Sequence, residues 1–163
     1  GKRFPETEDA PADYPYGFLR EEVQNHILKK TQLLLDTGWI RGTWENGTEY
    51  TIVASALSLD KETLRLIQNF DFTKKNPKRI YLITGETQLS LRDTIEAALL
   101  HLIGFDILFF IPTGYRCVER YWNDFQITEY QSGPYQYDLR IPDFTTFQQT
   151  ATKGWFRKFL GGF

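Results

Sequence analysis

Two short apolar runs that flank one capped helical segment constrain the fold of this chain most. Residues 80–84 and 107–111 are the apolar runs, and each ends at a glycine or a proline. The segment 90–103 between them begins at Ser90, and Asp93 follows three positions later, close to a capping box. Strand, helix and strand in this order form a β-α-β unit, so the two strands should be adjacent and parallel with a right-handed crossover.

The fold class predicted from this unit is α/β, as a Rossmann-like three-layer fragment. Both strands are apolar throughout, which is typical of a parallel sheet covered on both faces. Three further helices are predicted, over 18–36, over 59–70 with Ser58 as its cap, and over 115–124. A β-hairpin of 39–45 and 48–53 is predicted around Asn46-Gly47, with Trp44 and Tyr50 in contact across the strands. A second hairpin is predicted around 132–134.

The chain of 163 residues has the length of one domain. Residues 1–15 are polar and rich in proline, which predicts a linker or disordered lead-in. Residues 16–150 are expected to form a single α/β domain, followed by a basic aromatic tail over 151–163. The chain has no methionine, so we expect it to be part of a longer protein.

Charge and cysteine content argue against several classes of protein. Lys and Arg number 19 against 21 Asp and Glu, a net charge of -2, so no nucleic-acid partner is expected. Cys117 is the only cysteine, which excludes an internal disulfide and suits a reducing compartment. With no signal peptide and no apolar stretch of about 20 residues, a cytoplasmic location is expected.

No familiar catalytic motif is present, so the catalytic residues and any cofactor stay unknown. The chain lacks a Walker loop, a Gly-x-Ser-x-Gly elbow and a Gly-x-Gly-x-x-Gly fingerprint. Two histidines and one cysteine, widely spaced, predict no metal site. Glu86 and Glu129 are better explained as solvated carboxylates, His101 as a core or half-buried histidine, and Cys117 as a buried, inert thiol.

A ligand site is predicted where the two strands end, because ligands of open α/β sheets collect outside the carboxyl ends of the strands. Each loop holds a glycine, a hydroxyl group and a charge, and helix starts behind the loops would offer amides to an anion. The candidate ligand-binding residues are Thr84, Gly85, Glu86, Thr113, Gly114 and Tyr115. The alternative is that the glycines serve turn geometry alone.

Two aromatic clusters have both a functional and a structural explanation. Tyr130, Tyr135 and Tyr137 could stack a base or a sugar ring, or pack a terminal hairpin on the core. Residues 153–163 combine three cations with several large apolar side chains, which suits peripheral contact with an anionic membrane or docking to a protein partner. Packing of this segment on its own domain is the alternative.

One stretch of the sequence resembles a known family. Residues 99–115 (LLHLIGFDILFFIPTGY), followed by 137–139 (YDL) and 142–143 (PD), are similar to the carboxyl-terminal part of the bacterial YceG-like family found with tellurite-resistance (Ter) genes. This family is described as a putative component of a biosynthetic module, and it is unrelated to the lytic transglycosylase of the same name. The resemblance covers roughly residues 80–143 and supplies no catalytic residues.

Two functional hypotheses follow from the residues and the resemblance. In the first, the domain is half of a two-lobed, Rossmann-like enzyme that binds a nucleotide, another phosphate-bearing ligand or a sugar-like metabolite between its lobes. The resemblance favours this hypothesis, because it implies a role in a bacterial stress response that makes or modifies a small metabolite. The absence of a catalytic motif instead favours a non-catalytic interaction module that docks to a partner or membrane through 153–163. Whether the protein is an enzyme is left open.

Overall fold

The computed structural model describes residues 15–84, 87–123 and 128–139. These residues form a mixed α/β structure with four helices and one two-stranded parallel sheet. In chain order the elements are α1 (Glu21–Thr37), α2 (Thr48–Ala56), α3 (Lys61–Asn69), β1 (Lys78–Leu82), α4 (Leu91–Ile103) and β2 (Asp106–Phe110).

The predicted β-α-β unit is confirmed. Strands β1 and β2 are adjacent and parallel, with the register running from Lys78 opposite Asp106 to Leu82 opposite Phe110. Both strands begin before the predicted positions, because hydrogen bonding already starts where the Asp106 N–H donates to the Pro77 carbonyl at 2.9 Å. The charged residues at the start of each strand therefore belong to the sheet.

Helix α4 begins and ends where the sequence predicts. The Ser90 hydroxyl oxygen accepts from the Asp93 N–H at 3.1 Å and its hydroxyl donates to the Asp93 carboxylate at 2.6 Å. Gly104 follows the helix with φ of 128°. The buried side chains of α4 are Thr94, Ile95, Ala97, Ala98, Leu99, Leu100 and Ile103, so α4 is the centre of the main core.

The N-terminal half packs around α4 as a small helical layer. Helix α1 confirms the predicted N-terminal helix, and Gly38 ends it in the left-handed conformation at φ of 62°. The buried Tyr16 hydroxyl donates to the Ala56 carbonyl at 2.9 Å and accepts from the Leu59 N–H at 2.7 Å. Burial raises the pKa of Tyr16 to about 12, so this hydroxyl stays protonated and joins the chain ahead of α1 to the α2–α3 junction.

The predicted hairpin around Asn46-Gly47 is wrong, because residues 48–56 form helix α2. Gly47 does adopt a positive φ of 88°, but it precedes a helix and not a second strand. Ile52 and Ala56, four residues apart, are both buried in the core. Trp44 and Tyr50 therefore do not meet across strands.

Three smaller predictions also need correction. Helix α3 is capped by Asp60 and not Ser58, although Leu64 and Ile67 are buried as expected. No helix forms in the described part of 115–124, up to residue 123, where backbone groups bond to distant segments, as between the Leu89 N–H and the Cys117 carbonyl. No strand forms within 128–139, where Gly133 lies in a bend with a positive φ of 81°.

The sheet is covered on one face only by the described residues. Arg79 and Tyr81 point to the inner face, where both contact Glu96 of α4. The opposite face carries four exposed apolar side chains, which we call the outer sheet face: Ile80, Leu82, Leu108 and Phe110. The prediction of a sheet covered on both faces is therefore wrong for residues 15–84, 87–123 and 128–139.

Two predicted terminal segments cannot be compared with the structure. Residues 1–14 of the expected lead-in and the whole tail over 151–163 lie outside the described residues. Within the described ranges, no helix has the length and hydropathy needed to cross a membrane.

The corrected cap of α3 is testable. Asp60→Ala should lower the free energy of unfolding by about 1 kcal/mol, because it removes the oxygen that accepts from the Thr63 N–H at 2.9 Å. Ser58→Ala, at the cap position that the sequence suggested, should change it by less than about 0.5 kcal/mol. Urea unfolding of the two variants measures the difference, and an equal effect would place the cap elsewhere.

The same cap should also depend on pH. Hydrogen bonds from the Thr63 side chain and backbone hold the pKa of Asp60 below its usual value. A lowered pKa stabilises the fold above the unfolded-state pKa of about 4, and this stabilisation is lost as pH falls through the folded-state value. The stability advantage of the wild-type chain over Asp60→Ala should therefore be full at pH 7 and shrink below pH 4. An advantage that is constant down to pH 2 would contradict this assignment.

Candidate functional site

The two segments that follow β1 and β2 lie side by side at the carboxyl edge of the sheet. The Ile83 N–H donates to the Phe110 carbonyl at 3.0 Å, which extends the strand pairing by one step. Farther along, the Leu89 N–H donates to the Cys117 carbonyl at 2.8 Å. Ile83, Leu89, Cys117 and Val118 form a small second core beneath these loops. The two loops are therefore neighbours at one edge, as the ligand-site prediction assumes.

The six predicted ligand-binding residues differ in accessibility. Thr84 is half-buried, and Gly85 and Glu86 lie outside the described residues. Thr113 is buried, and its hydroxyl oxygen accepts from the Tyr115 N–H at 3.4 Å, so it shapes the turn. Gly114 and Tyr115 are exposed. A ligand binding to the second loop would thus meet Gly114 and Tyr115 and not the Thr113 hydroxyl.

Two tyrosines form an exposed pair at this edge. The ring centroids of Tyr115 and Tyr137 are 5.6 Å apart and the ring planes are inclined by 58°. Tyr115 is 45% exposed and Tyr137 is 56% exposed. The Gln136 N–H donates to the Pro112 carbonyl at 2.8 Å, which holds the second ring against the loop that carries the first. The pair thus exposes aromatic surface to solvent from a backbone-anchored position.

The helix starts predicted to bind an anion behind the two loops are not available for one. The start of α4 is already occupied by its own Ser90 cap and by the Asp93 carboxylate, which disfavours a second anion there. The second loop has no helix behind it within 111–123. Arg116 is exposed beside Tyr115 and has no hydrogen-bond or salt-bridge partner in the described part of the chain. Arg120, also exposed in this segment, donates to the Gln88 side chain at 3.0 Å.

The cysteine, the two histidines and Glu129 lie in different environments. Cys117 is buried, and this burial raises the pKa of its thiol, so the reactive thiolate is disfavoured. His101 is exposed and not half-buried as expected, with its ring centroid 6.2 Å from that of Trp39. The His26 ring nitrogen lies 3.1 Å from the Ile103 carbonyl oxygen and joins α1 to the end of α4. Glu129 is exposed.

One polar cluster was missed by sequence reasoning. Arg79 forms a 2.9 Å salt bridge with Glu96, and the Tyr81 hydroxyl donates to the same carboxylate at 3.3 Å. The Tyr81 ring also stacks on Phe109 at 5.4 Å, and burial raises the pKa of its hydroxyl. Arg79 lies just before the strand that the sequence predicts from residue 80, and the earlier start of β1 at Lys78 brings it to α4. The cluster fixes the inner face of the sheet on α4.

No group of His, Cys, Asp and Glu side chains suitable for a metal ion occurs in residues 15–84, 87–123 and 128–139.

Comparison with known protein families gives a match over most of the chain. A family model described as the YceG domain matches residues 6–153. The chain belongs to the YceG domain family. The match extends beyond residues 80–143, on which the resemblance in sequence rested, and includes the N-terminal helices as well as the sheet. No curated protein and no solved structure matches the chain.

The tyrosine-bearing loops of this YceG domain depend on Gly114. Gly114 has a φ of 68°, and a Cβ atom built there would overlap the Tyr135 ring. Gly114→Ala should therefore lower the free energy of unfolding by about 2 kcal/mol, through backbone strain together with displacement of the ring. Such a variant would disturb the loop itself, so it is a poor probe of ligand contact alone.

Gly133→Ala is the matched control, since φ is 81° there and nothing lies within 4 Å of a built Cβ. It should lower the free energy of unfolding by only about 1 kcal/mol, from backbone strain. Urea unfolding of the two variants isolates the effect of the Tyr135 contact. Equal losses would show that Tyr135 does not pack on Gly114 in solution.

Proposed function

We propose that this YceG domain binds a nucleotide or sugar-like metabolite at the carboxyl edge of its parallel sheet. The observation that carries the proposal is the exposed Tyr115–Tyr137 pair, which is held by the loop that follows β2. Ligands of parallel α/β sheets collect at this edge because the loops that leave neighbouring strands converge there. Stacking of a flat ring on an aromatic side chain contributes about 1–3 kcal/mol.

The residues beside the tyrosines favour a ligand that carries phosphate. The exposed Arg116 guanidinium, which has no hydrogen-bond or salt-bridge partner among residues 15–84, 87–123 and 128–139, has the donor geometry that matches a phosphate oxygen pair. The ligand that these groups fit is a base or sugar linked to phosphate, with the ring on the tyrosines and the phosphate on Arg116. Thr84 of the first loop belongs to the proposed site, whereas Thr113 shapes the second loop and does not offer its hydroxyl to the ligand. Gly85 and Glu86, which the sequence also predicts, lie outside the described residues.

We further propose that the domain acts in a bacterial stress response. The resemblance of residues 80–143 to the YceG-like proteins of tellurite-resistance gene clusters supports a role in a bacterial stress response. A biosynthetic module of such a pathway would supply or consume the bound metabolite.

Isothermal titration calorimetry of the 163-residue chain with ATP, ADP-glucose and UDP-glucose tests the proposal. At least one of these ligands should bind, and Tyr115→Ala and Tyr137→Ala should each weaken its binding about tenfold, as loss of ring stacking requires. Tyr50→Ala is the control, because Tyr50 is an exposed tyrosine on α2 and lies outside the edge. Its affinity should equal that of the wild-type chain.

The proposed contact between Arg116 and phosphate is tested by comparing a ligand with and without phosphate. If ATP is the ligand, Arg116→Gln should weaken ATP binding several-fold and leave binding of adenosine, which lacks phosphate, unchanged. Equal weakening of both would remove Arg116 from the phosphate site. No binding of any of the three phosphate-bearing ligands at millimolar concentration would contradict the proposed function.

A further inference from the structure

Segment 128–139, which carries Tyr137, is attached to the ligand edge by few contacts. Its residues are all exposed, and none of them belongs to a helix or a strand. Within the described ranges, its one backbone hydrogen bond to the rest of the chain runs from the Gln136 N–H to the Pro112 carbonyl. The contact between the Tyr115 and Tyr137 rings is weak by itself, because both residues stay exposed. Another contact must therefore hold segment 128–139 on the loop that follows β2.

Tyr135 makes this further contact. Its ring lies on Gly114, where a built Cβ atom would be 2.6 Å from two carbon atoms of the ring. Gly114 also has a φ of 68°, which residues with side chains rarely adopt, so backbone and space both suit glycine there. The Tyr135 ring thus occupies the place that a side chain on residue 114 would take.

The hydroxyl group of Tyr135 is also engaged, within the segment itself. It donates to Gln131 Oε1 at 3.2 Å, and Gln131 Nε2 donates to the Gly133 carbonyl at 3.4 Å. These two bonds close residues 131–135 into a small loop, and the Tyr135 ring connects this loop to Gly114. Although Tyr135 is 49% exposed, both its ring and its hydroxyl already have partners in the chain.

The ring contact of Tyr135 and the hydrogen bond of Gln136 lie next to each other, and Tyr137 follows directly. Two neighbouring attachments fix the direction of the backbone, and so they fix the point from which the next side chain projects. We infer that Tyr135 is a positioning residue that sets the Tyr137 ring against Tyr115. Its effect on ligand binding rests on the proposed function of that tyrosine pair, whereas its effect on segment 128–139 does not.

Hydrogen exchange of the ligand-free, 163-residue chain tests the positioning role. The Gln136 amide should be protected in the wild-type chain and should lose this protection in Tyr135→Ala, because the neighbouring ring contact is gone. Tyr135→Phe keeps the ring and loses only a bond between exposed groups, which water can replace, so it should keep the protection. Tyr130→Ala is the matched control, since Tyr130 lies in the same segment and is 91% exposed. Amides of α4 should stay protected in every variant, which shows that the domain remains folded.

Calorimetry with ATP, ADP-glucose and UDP-glucose separates positioning from direct contact. For a ligand that the wild-type chain binds, Tyr135→Ala should weaken binding about tenfold, the loss expected for Tyr137→Ala. Both changes remove the same ring from the site, so the double variant should also be weakened about tenfold and not about a hundredfold. Tyr135→Phe and Tyr130→Ala should bind the ligand as tightly as the wild-type chain does.

Two kinds of result would overturn the inference. An unprotected Gln136 amide in the wild-type chain, or a protected one in Tyr135→Ala, would show that the Tyr135 ring does not hold the segment. A loss of about a hundredfold in the double variant would make Tyr135 a direct ligand contact. Failure of the proposed function is a separate result, in which none of the three ligands binds the wild-type chain while Tyr135→Ala still removes the protection of Gln136.

Discussion

The rest of this structure depends on the parallel pairing of β1 with β2, which α4 connects along the chain. Parallel strands cannot be joined by a tight turn, because the chain must run back from the end of the first strand to the start of the second. Helix α4 is this crossover connection. Its side chains are buried on several sides, with Ile95, Leu99 and Leu100 fully shielded from solvent. Helices α1 and α2 pack against α4, and Glu96 fixes the inner face of the sheet. One helix thus connects the helical layer to the strands, and the pairing places both loops at one edge.

The elements that could be predicted from sequence are those whose signals are local. The Ser90–Asp93 cap, Gly104 and Gly38 each act within a few residues, and each begins or ends its helix as expected. Gly47 shows where such signals fail, because a positive φ suits a hairpin turn and equally the residue before a helix. The segment that follows contains β-branched residues typical of a strand, and the burial of Ile52 and Ala56 against the core decides in favour of a helix.

The candidate site was predictable in position and less so in composition. That two loops meet at the carboxyl edge follows from the order of the elements alone. Burial of the Thr113 hydroxyl and the contact between Tyr115 and Tyr137 depend on how 128–139 returns to the edge, and no local pattern encodes that return. The same return explains why the expected hairpin near Gly133 is absent from 128–139, since Gln136 bonds to the loop at Pro112 and not to a partner strand.

We propose that the Tyr115–Tyr137 pair of this YceG domain is a platform for a phosphate-bearing metabolite. NMR of the tyrosine ring resonances during titration with ADP-glucose, UDP-glucose or ATP tests this role at the rings themselves. The resonances of Tyr115 and Tyr137 should shift together with one dissociation constant, while those of the buried Tyr16 and the half-buried Tyr81 stay in place. Shifts confined to other tyrosines, or no shift with any of the three ligands, would contradict it.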